Sequence, residues 1–248
     1  MSRVFILTAV VCTLIPAPAL AEPGFANGIY APYVKKGVTE FEVSGGALTG
    51  GRRSGDGGVI FEVEHGFTDH LDLSVFAEVE RGGAKTEVDS VGLEGVYYVG
   101  QIPGIGVDVG AYVDYEYSLD ASDILETKLL LAKQAGSFHA VANLIAQIPT
   151  RNRSRYQHDT DYQYGVQGAF DVAPNTQLGL QAFGDLAHNY ASEGGRHNYV
   201  GPMVNWELHP FGRPGELELQ ASYLFAVGST RHDTNGQAHV SLEYEVRF

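Results

Sequence analysis

The chain closes with His239-Val240-Ser241-Leu242-Glu243-Tyr244-Glu245-Val246-Arg247-Phe248. Every second residue, Val240, Leu242, Tyr244, Val246 and Phe248, is apolar, and the residues between them are polar or charged. Successive side chains of a strand point to opposite faces. The segment therefore reads as a strand with one apolar and one wet face. Leu71 to Glu80 repeats the pattern, as does the run in which Leu217, Leu219, Ala221, Tyr223 and Phe225 alternate with Glu216, Glu218, Gln220 and Ser222. Working outward, twelve such runs are found, at about 38–46, 58–66, 71–81, 88–99, 105–118, 124–134, 137–148, 160–172, 176–188, 197–208, 215–228 and 237–248. Their lengths suit tilted membrane strands of about 9–11 residues, and an even count suits a single-chain barrel. No segment after the first twenty residues approaches the roughly 18 apolar residues of a membrane helix. The fold class expected is all-β: a transmembrane antiparallel β-barrel of about 12 strands.

The connections sort into two classes. Phe67-Thr68-Asp69-His70, Gln101-Ile102-Pro103-Gly104, Ala135-Gly136, Ala173-Pro174-Asn175 and Pro210 to Pro214 are tight. The alternate connections, near 47–57, 82–87, 119–123, 149–159, 189–196 and 229–236, are mostly longer and more polar. Short periplasmic turns and longer extracellular loops give this alternation, with both chain ends periplasmic. A soluble sandwich or lipocalin-like barrel also alternates. Twelve long strands and a charge-laden second face count against it, because no dry core tolerates that charge.

Residues 1–21 have the layout of a secretory signal peptide: Arg3, an apolar run from Val4 to Ile15, a break at Pro16 to Pro18, and Ala19-Leu20-Ala21 as cleavage site. Residues 22–37 would form an N-terminal periplasmic or lumenal segment, and 38–248 the barrel. The single cysteine, Cys12, leaves with the signal, which excludes disulfides and thiolate chemistry from the mature chain. Loss of Arg3 takes the formal charge from −14 to about −15. Nucleic acid is thereby excluded as a partner, since phosphate contact needs clustered Lys and Arg.

The closing strand also resembles the last strand of Gram-negative outer-membrane barrels, which ends in Phe after alternating apolar residues with an aromatic a few places upstream; here Phe248 and Tyr244 match. The resemblance implies residence in the outer membrane, contact with lipid and lipopolysaccharide, and recognition of this strand by the barrel assembly machinery. Phe61 to Leu73, with its Gly66-Phe67-Thr68-Asp69 turn between Glu-bearing strands, resembles a hairpin of poorly characterised proteobacterial barrel proteins. No substrate follows from that likeness.

If the apolar faces meet lipid, the lumen receives the carboxylates. Glu62, Glu78, Glu94, Asp114, Glu126, Glu207, Glu218 and Glu243 are the candidate lumen residues, within a larger acidic set that includes Glu40, Glu42, Glu64 and Glu116. Few cations share that side: Lys128, Arg247, and the histidines His139 and His239. A wet lumen with counter-ions resolves the repulsion and favours cations. A plugged lumen with protonated or hydrogen-bonded carboxylates is the rival. No segment looks like a plug, although 22–37, with Lys35 and Lys36, could fold inward. Tyrosines and other aromatics near strand ends, among them Tyr30, Tyr97, Tyr115, Tyr162, Tyr199 and Trp206, fit an interfacial girdle, with a stacking path for a sugar or aromatic solute as the alternative.

The outer-membrane phospholipase is similar in being a twelve-stranded barrel with a His-x-Ser pair on one strand face, and this chain has His239-Val240-Ser241. There the pair faces lipid; here the apolar set turns it to the lumen. His158-Asp159-Thr160 and His232-Asp233-Thr234 recur in two loops, more as polar loop composition than as metal ligands. No cofactor motif is present: neither a phosphate-binding glycine loop, a zinc-protease helix nor an EF-hand. The function expected is passive passage of small solutes or cations. A structural or assembly-associated envelope protein, or a lipid or lipopolysaccharide hydrolase, are the alternatives.

Intact-mass measurement on protein from outer-membrane fractions should place the mature N-terminus at Glu22. A mass that includes residues 1–21 would sink the export reading.

Overall fold

The computed structural model describes residues 28–83, 85–119, 121–150, 160–187, 197–209 and 215–247. Residues 1–27, with the expected signal-peptide segment, Phe248, His158-Asp159 within the loop at 151–159, the loop at 188–196 and the turn Pro210 to Pro214 lie outside the described residues.

Twelve strands form one closed antiparallel barrel: β1 (Val38–Thr49), β2 (Gly57–Gly66), β3 (Leu71–Gly82), β4 (Lys85–Ile102), β5 (Val107–Ser118), β6 (Ile124–Ala135), β7 (Phe138–Pro149), β8 (Asp161–Ala173), β9 (Thr176–Ala187), β10 (Asn198–Leu208), β11 (Glu216–Ala226) and β12 (Gly236–Arg247). Each strand pairs with its sequence neighbours, and β12 closes onto β1, from Val38 opposite Arg247 to Thr49 opposite Gly236. Eleven hairpins and one closure leave no free sheet edge, the condition for strands to cross hydrocarbon.

The alternation read from the sequence sets the faces. Phe41, Val43, Phe61, Val75, Leu93, Val113, Leu144, Leu180, Val240 and Leu242 are exposed on the outer surface. A continuous apolar belt of this kind would be a liability in water and is what lipid requires. Aromatics edge the belt at both ends: Phe67, Tyr97, Phe170 and Trp206 near the tight turns, and Tyr115, Tyr117, Tyr162 and Phe225 near the loops. Tyr30 and Tyr199 depart from the girdle expectation. Tyr199 is buried with Leu48, Leu224 and Ala226 inside the barrel, and Tyr30 packs against Val96, Tyr112 and Leu130. Proximity to a strand end does not fix which face a side chain takes.

The strand spans expected agree with the structure to within a few residues, except at β4. It runs 18 residues, because Gly82 pairs with Lys85 and the β3–β4 connection shrinks to two residues. Gly83, at φ 55°, takes the left-handed conformation that such a turn demands. This connection breaks the rule of long loops at the loop end. Strand β4 also carries two register shifts, between Val88 and Ser90 opposite β3 and between Tyr98 and Gly100 opposite β5.

Arginine on the outer face should cost about 2–4 kcal/mol near the midplane. Leu242→Arg should therefore reduce heat-modifiable, compact migration of the folded barrel in cold-loaded gels, while Ser241→Arg, on the inner face, should reduce it far less. Equal losses would contradict the assigned faces.

Candidate functional site

The inner wall is organised by register. Side chains directly opposite one another on neighbouring strands stand about 5 Å apart. Following these pairings, Glu216, Glu245, Glu40, Glu64, Ser74, Glu94, Asp114 and Glu126 form one unbroken lateral row across β11, β12 and β1 to β6. A second row lies beside it: Glu207, Glu218, Glu243, Glu42 and Glu62, then Phe76 and Gly92, then Glu116. Barrel strands tilt against the axis, so a row perpendicular to the strands climbs as it circles. The first row starts at Glu216, the first residue of β11 at the turn end, and reaches Glu126, three residues into β6 at the loop end. The carboxylates are therefore two adjacent spiral tracks running the length of the lumen.

All eight candidate residues from the sequence lie on this inner wall. Glu94, Asp114 and Glu126 are consecutive in the first track; Glu207, Glu218 and Glu243 are consecutive in the second, with Glu62 beyond Glu42. Glu78 stands one row nearer the loops, opposite Ile60 and Ser90. Glu207 is a rim residue, with its carboxylate half exposed beside His209. The opposite wall is mainly amide, and its carboxylates Asp171 and Asp185 each lie beside a histidine, His139 and His197. Gln181 donates to Gln167 and Gln220, both at 2.8 Å, and Gln163 donates to Gln147 at 3.2 Å. Between the acidic and amide walls lies a cavity of about 320 Å³, lined by Glu40, Glu42, Glu62 and Glu64 on one side and by Gln181, Gln220 and His239 on the other.

Residues 28–36 lie along the turn-end half of the lumen, where the sequence showed no clear plug. Asn143 holds this segment through both halves of its amide: Tyr30 N–H donates to Oδ1 and Nδ2 donates to the Tyr30 carbonyl, each at 2.8 Å. Pro32 is fully buried against Gly110, where a Cβ would come within 2.7 Å of the proline ring. Lys35 forms an ion pair with Glu245. Burial works against the charge on Lys35, but the contact with Glu245, supported by Glu243 and Glu216, outweighs it and raises its pKa above the usual lysine value.

The centre of the acidic wall is Lys128, nearly inaccessible to solvent and 2.8 Å from Glu126. Its ammonium also sits 4.2 Å from the centre of the Tyr30 ring and 4.0 Å from that of Tyr112. Both distances suit a cation–π contact. Tyr112 donates to Glu94 at 2.8 Å and to Asp114 at 3.2 Å, and Gln147 donates to Glu126 at 2.7 Å. One cation thus anchors Glu126, two aromatic rings and the inward segment.

Sequence reasoning missed several contributors. Arg53, in the β1–β2 loop, pairs with Asp56 at 2.9 Å, and Asp56 accepts the Gly83 N–H at 3.0 Å, so a further cation folds in at the loop end. The neighbouring loop holds a short 3-10 helix, Gly228–His232, and Arg52 pairs with Asp233 across the two. Polar loop composition gave no hint of these contacts. His239 and Ser241 both line the lumenal cavity, and Gln237 Nε2 lies 3.0 Å from His239 Nε2. The pair therefore does not meet lipid.

The fold is shared with solved outer-membrane channels. An outer membrane channel from Pseudomonas putida F1 superposes with a TM-score of 0.60 at 14% identity, over 93% of this chain and all of that one. The NanC porin gives 0.57 at 11% identity and the KdgM porin 0.54 at 7%, each over 84% of this chain and nearly all of its own length. No protein-family model matches the sequence, and no curated protein matches it. The fold and apolar belt define the class: a closed twelve-strand transmembrane β-barrel of porin-like architecture.

Removing one partner of a buried pair leaves an uncompensated charge. Lys128→Met should lower stability by about 3–5 kcal/mol, followed in urea by the fluorescence of Trp206, the single tryptophan. Adding Glu126→Gln to that variant should recover part of the loss. A neutral effect of Lys128→Met would show that lumenal water, not Lys128, balances these carboxylates.

Proposed function

We propose that the barrel is a passive outer-membrane channel that favours cations and small cationic solutes. The observation that carries this reading is the register: the carboxylates are not scattered but lie along two adjacent rows from the turn end to the loop end, interrupted at Ser74 in one and at Phe76 and Gly92 in the other. Rings and rows of fixed negative charge raise the local cation concentration and exclude anions. The cavity between the tracks and the amide wall offers a route beside residues 28–36, and the likeness in fold to a channel and two porins supports passage over catalysis. Lipid and lipopolysaccharide would surround the apolar belt, and the closing strand would be the element read by the assembly machinery.

Reversal potentials across planar bilayers in a KCl gradient test the reading. Cation preference should be stronger at 0.1 M than at 1 M salt, since the screening length falls from about 10 Å to about 3 Å. Neutralising Glu62, Asp114 or Glu218 should reduce it more than Glu207→Gln at the rim. Anion preference would overturn the proposal. A folded barrel that never conducts would favour a structural envelope role.

A further inference from the structure

The segment ahead of β1 does not follow the barrel wall; it crosses the lumen. At its base Gly37 takes a left-handed φ of 73°, and its N–H donates to the Gly66 carbonyl of β2 at 2.7 Å. Lys35 pairs with Glu245 of β12. At the far end Tyr30 meets Asn143 of β7, and Ile29 lies over Gly165 of β8. In a closed ring of twelve strands β2 and β8 stand six apart, on opposite sides. Residues 29–37 therefore span the lumen from wall to wall.

The wall is shaped to receive them. Gly110, Leu130, Asn143 and Gly165 are consecutive cross-strand partners on β5 to β8, an uncharged row on the inner face. A Cβ on Gly110 would come within 2.7 Å of Pro32, and one on Gly165 within 3.2 Å of Ile29. A Cβ on Gly66 would overlap the Lys35 carbonyl. Glycine inside a strand marks a close approach of other chain, and here three of them follow the path of one segment. Leu130, with no exposed surface, lies beneath Tyr30 and Val34. Asn143 is 1% exposed and commits both ends of its amide to the Tyr30 main chain.

The attachments are side-chain contacts, not ladder bonds. Beyond the turn at Gly37, the segment is held by the Asn143 amide, the Lys128 ammonium on the Tyr30 ring, the Tyr33 hydroxyl donating to Asp108 at 3.3 Å, the Lys35–Glu245 pair and the packing of Pro32 and Val34. All of these can part without breaking a strand pairing. Elements held in this way open at lower free energy than the fold as a whole.

We propose that residues 28–36 are a releasable strap that narrows the lumen, with Asn143 as its latch. Release would widen the conducting path, a consequence that rests on the channel reading above. Seating of the strap is a property of the folded barrel and does not depend on conduction.

Two measurements on the folded full-length barrel test this, in a Cys12→Ala background that removes the single cysteine. Heat-modifiable migration confirms the fold of each variant. In detergent micelles, the rate at which a maleimide labels Leu130→Cys reads whether the strap covers its seat. Adding Asn143→Leu should speed labelling about tenfold, the weight of two hydrogen bonds. Gly110→Val, which fills the seat without touching the latch, should act in the same direction. Labelling at the unmodified rate in both would overturn the proposal. In planar bilayers, Asn143→Leu should show a larger conducting level that wild type lacks. Ile29→Cys with Gly165→Cys places two β-carbons within reach of a disulfide, its formation checked by loss of free thiol. Added to Asn143→Leu, this lock should abolish the larger level when oxidised and restore it with dithiothreitol. A larger level that persists in the oxidised protein, or wild-type conductance in Asn143→Leu, would overturn the strap. Current from none of the proteins, together with the tenfold difference in labelling, would uphold the strap and defeat the channel reading.

Discussion

In hydrocarbon a backbone N–H or C=O finds no water, so each must be paired within the protein. Closure of β12 onto β1 meets that constraint, and the rest of the molecule depends on it. An open twelve-strand sheet would leave two edges of unsatisfied groups in lipid. Closure also fixes the register all the way round. Once Glu40 stands opposite Glu245 and Glu64, the positions of Glu94, Asp114 and Glu126 relative to them follow from the remaining pairings. The acidic tracks are thus a consequence of the same hydrogen bonds that make the barrel viable in a bilayer.

Concentrating carboxylates on one wall has a cost, and the structure shows how it is offset. Lys128 lies against Glu126 and between two tyrosine rings; Lys35 reaches Glu245; Arg53 enters with Asp56 at the loop end. These cations sit at three heights along the lumen. The amide wall of Gln167, Gln181 and Gln220 faces the acidic wall with dipoles in place of charge, which avoids repulsion across the lumen and leaves room for water. The inward segment serves both ends of this arrangement, since Tyr30 covers Lys128 and Lys35 engages Glu245. Stability and the electrostatics of the lumen are therefore linked through one short stretch of chain.

The two walls also differ in what they can do. Glutamine side chains hydrogen-bond one another and hold a wall in place. Carboxylates at the same spacing repel unless a cation stands between them. In the channel proposed above, a lumen built from one wall of each kind would favour mobile positive charge along the acidic side without demanding a dedicated binding pocket.

Alternation of Leu217, Leu219 and Ala221 against Glu216, Glu218 and Gln220, repeated twelve times, determined the strands, their faces and the barrel class. Period two is a local property, written residue by residue, so no partner strand is needed to read it. Only the tertiary structure decided which carboxylates become neighbours, because a one-residue change of register would pair each with a different residue. It alone brought Asp89 to Glu78 and Glu116, since a bulge breaks the parity on which the sequence reading rests. It alone placed Tyr30 on Lys128 and Asn143, contacts across 98 and 113 positions of chain that no local pattern encodes.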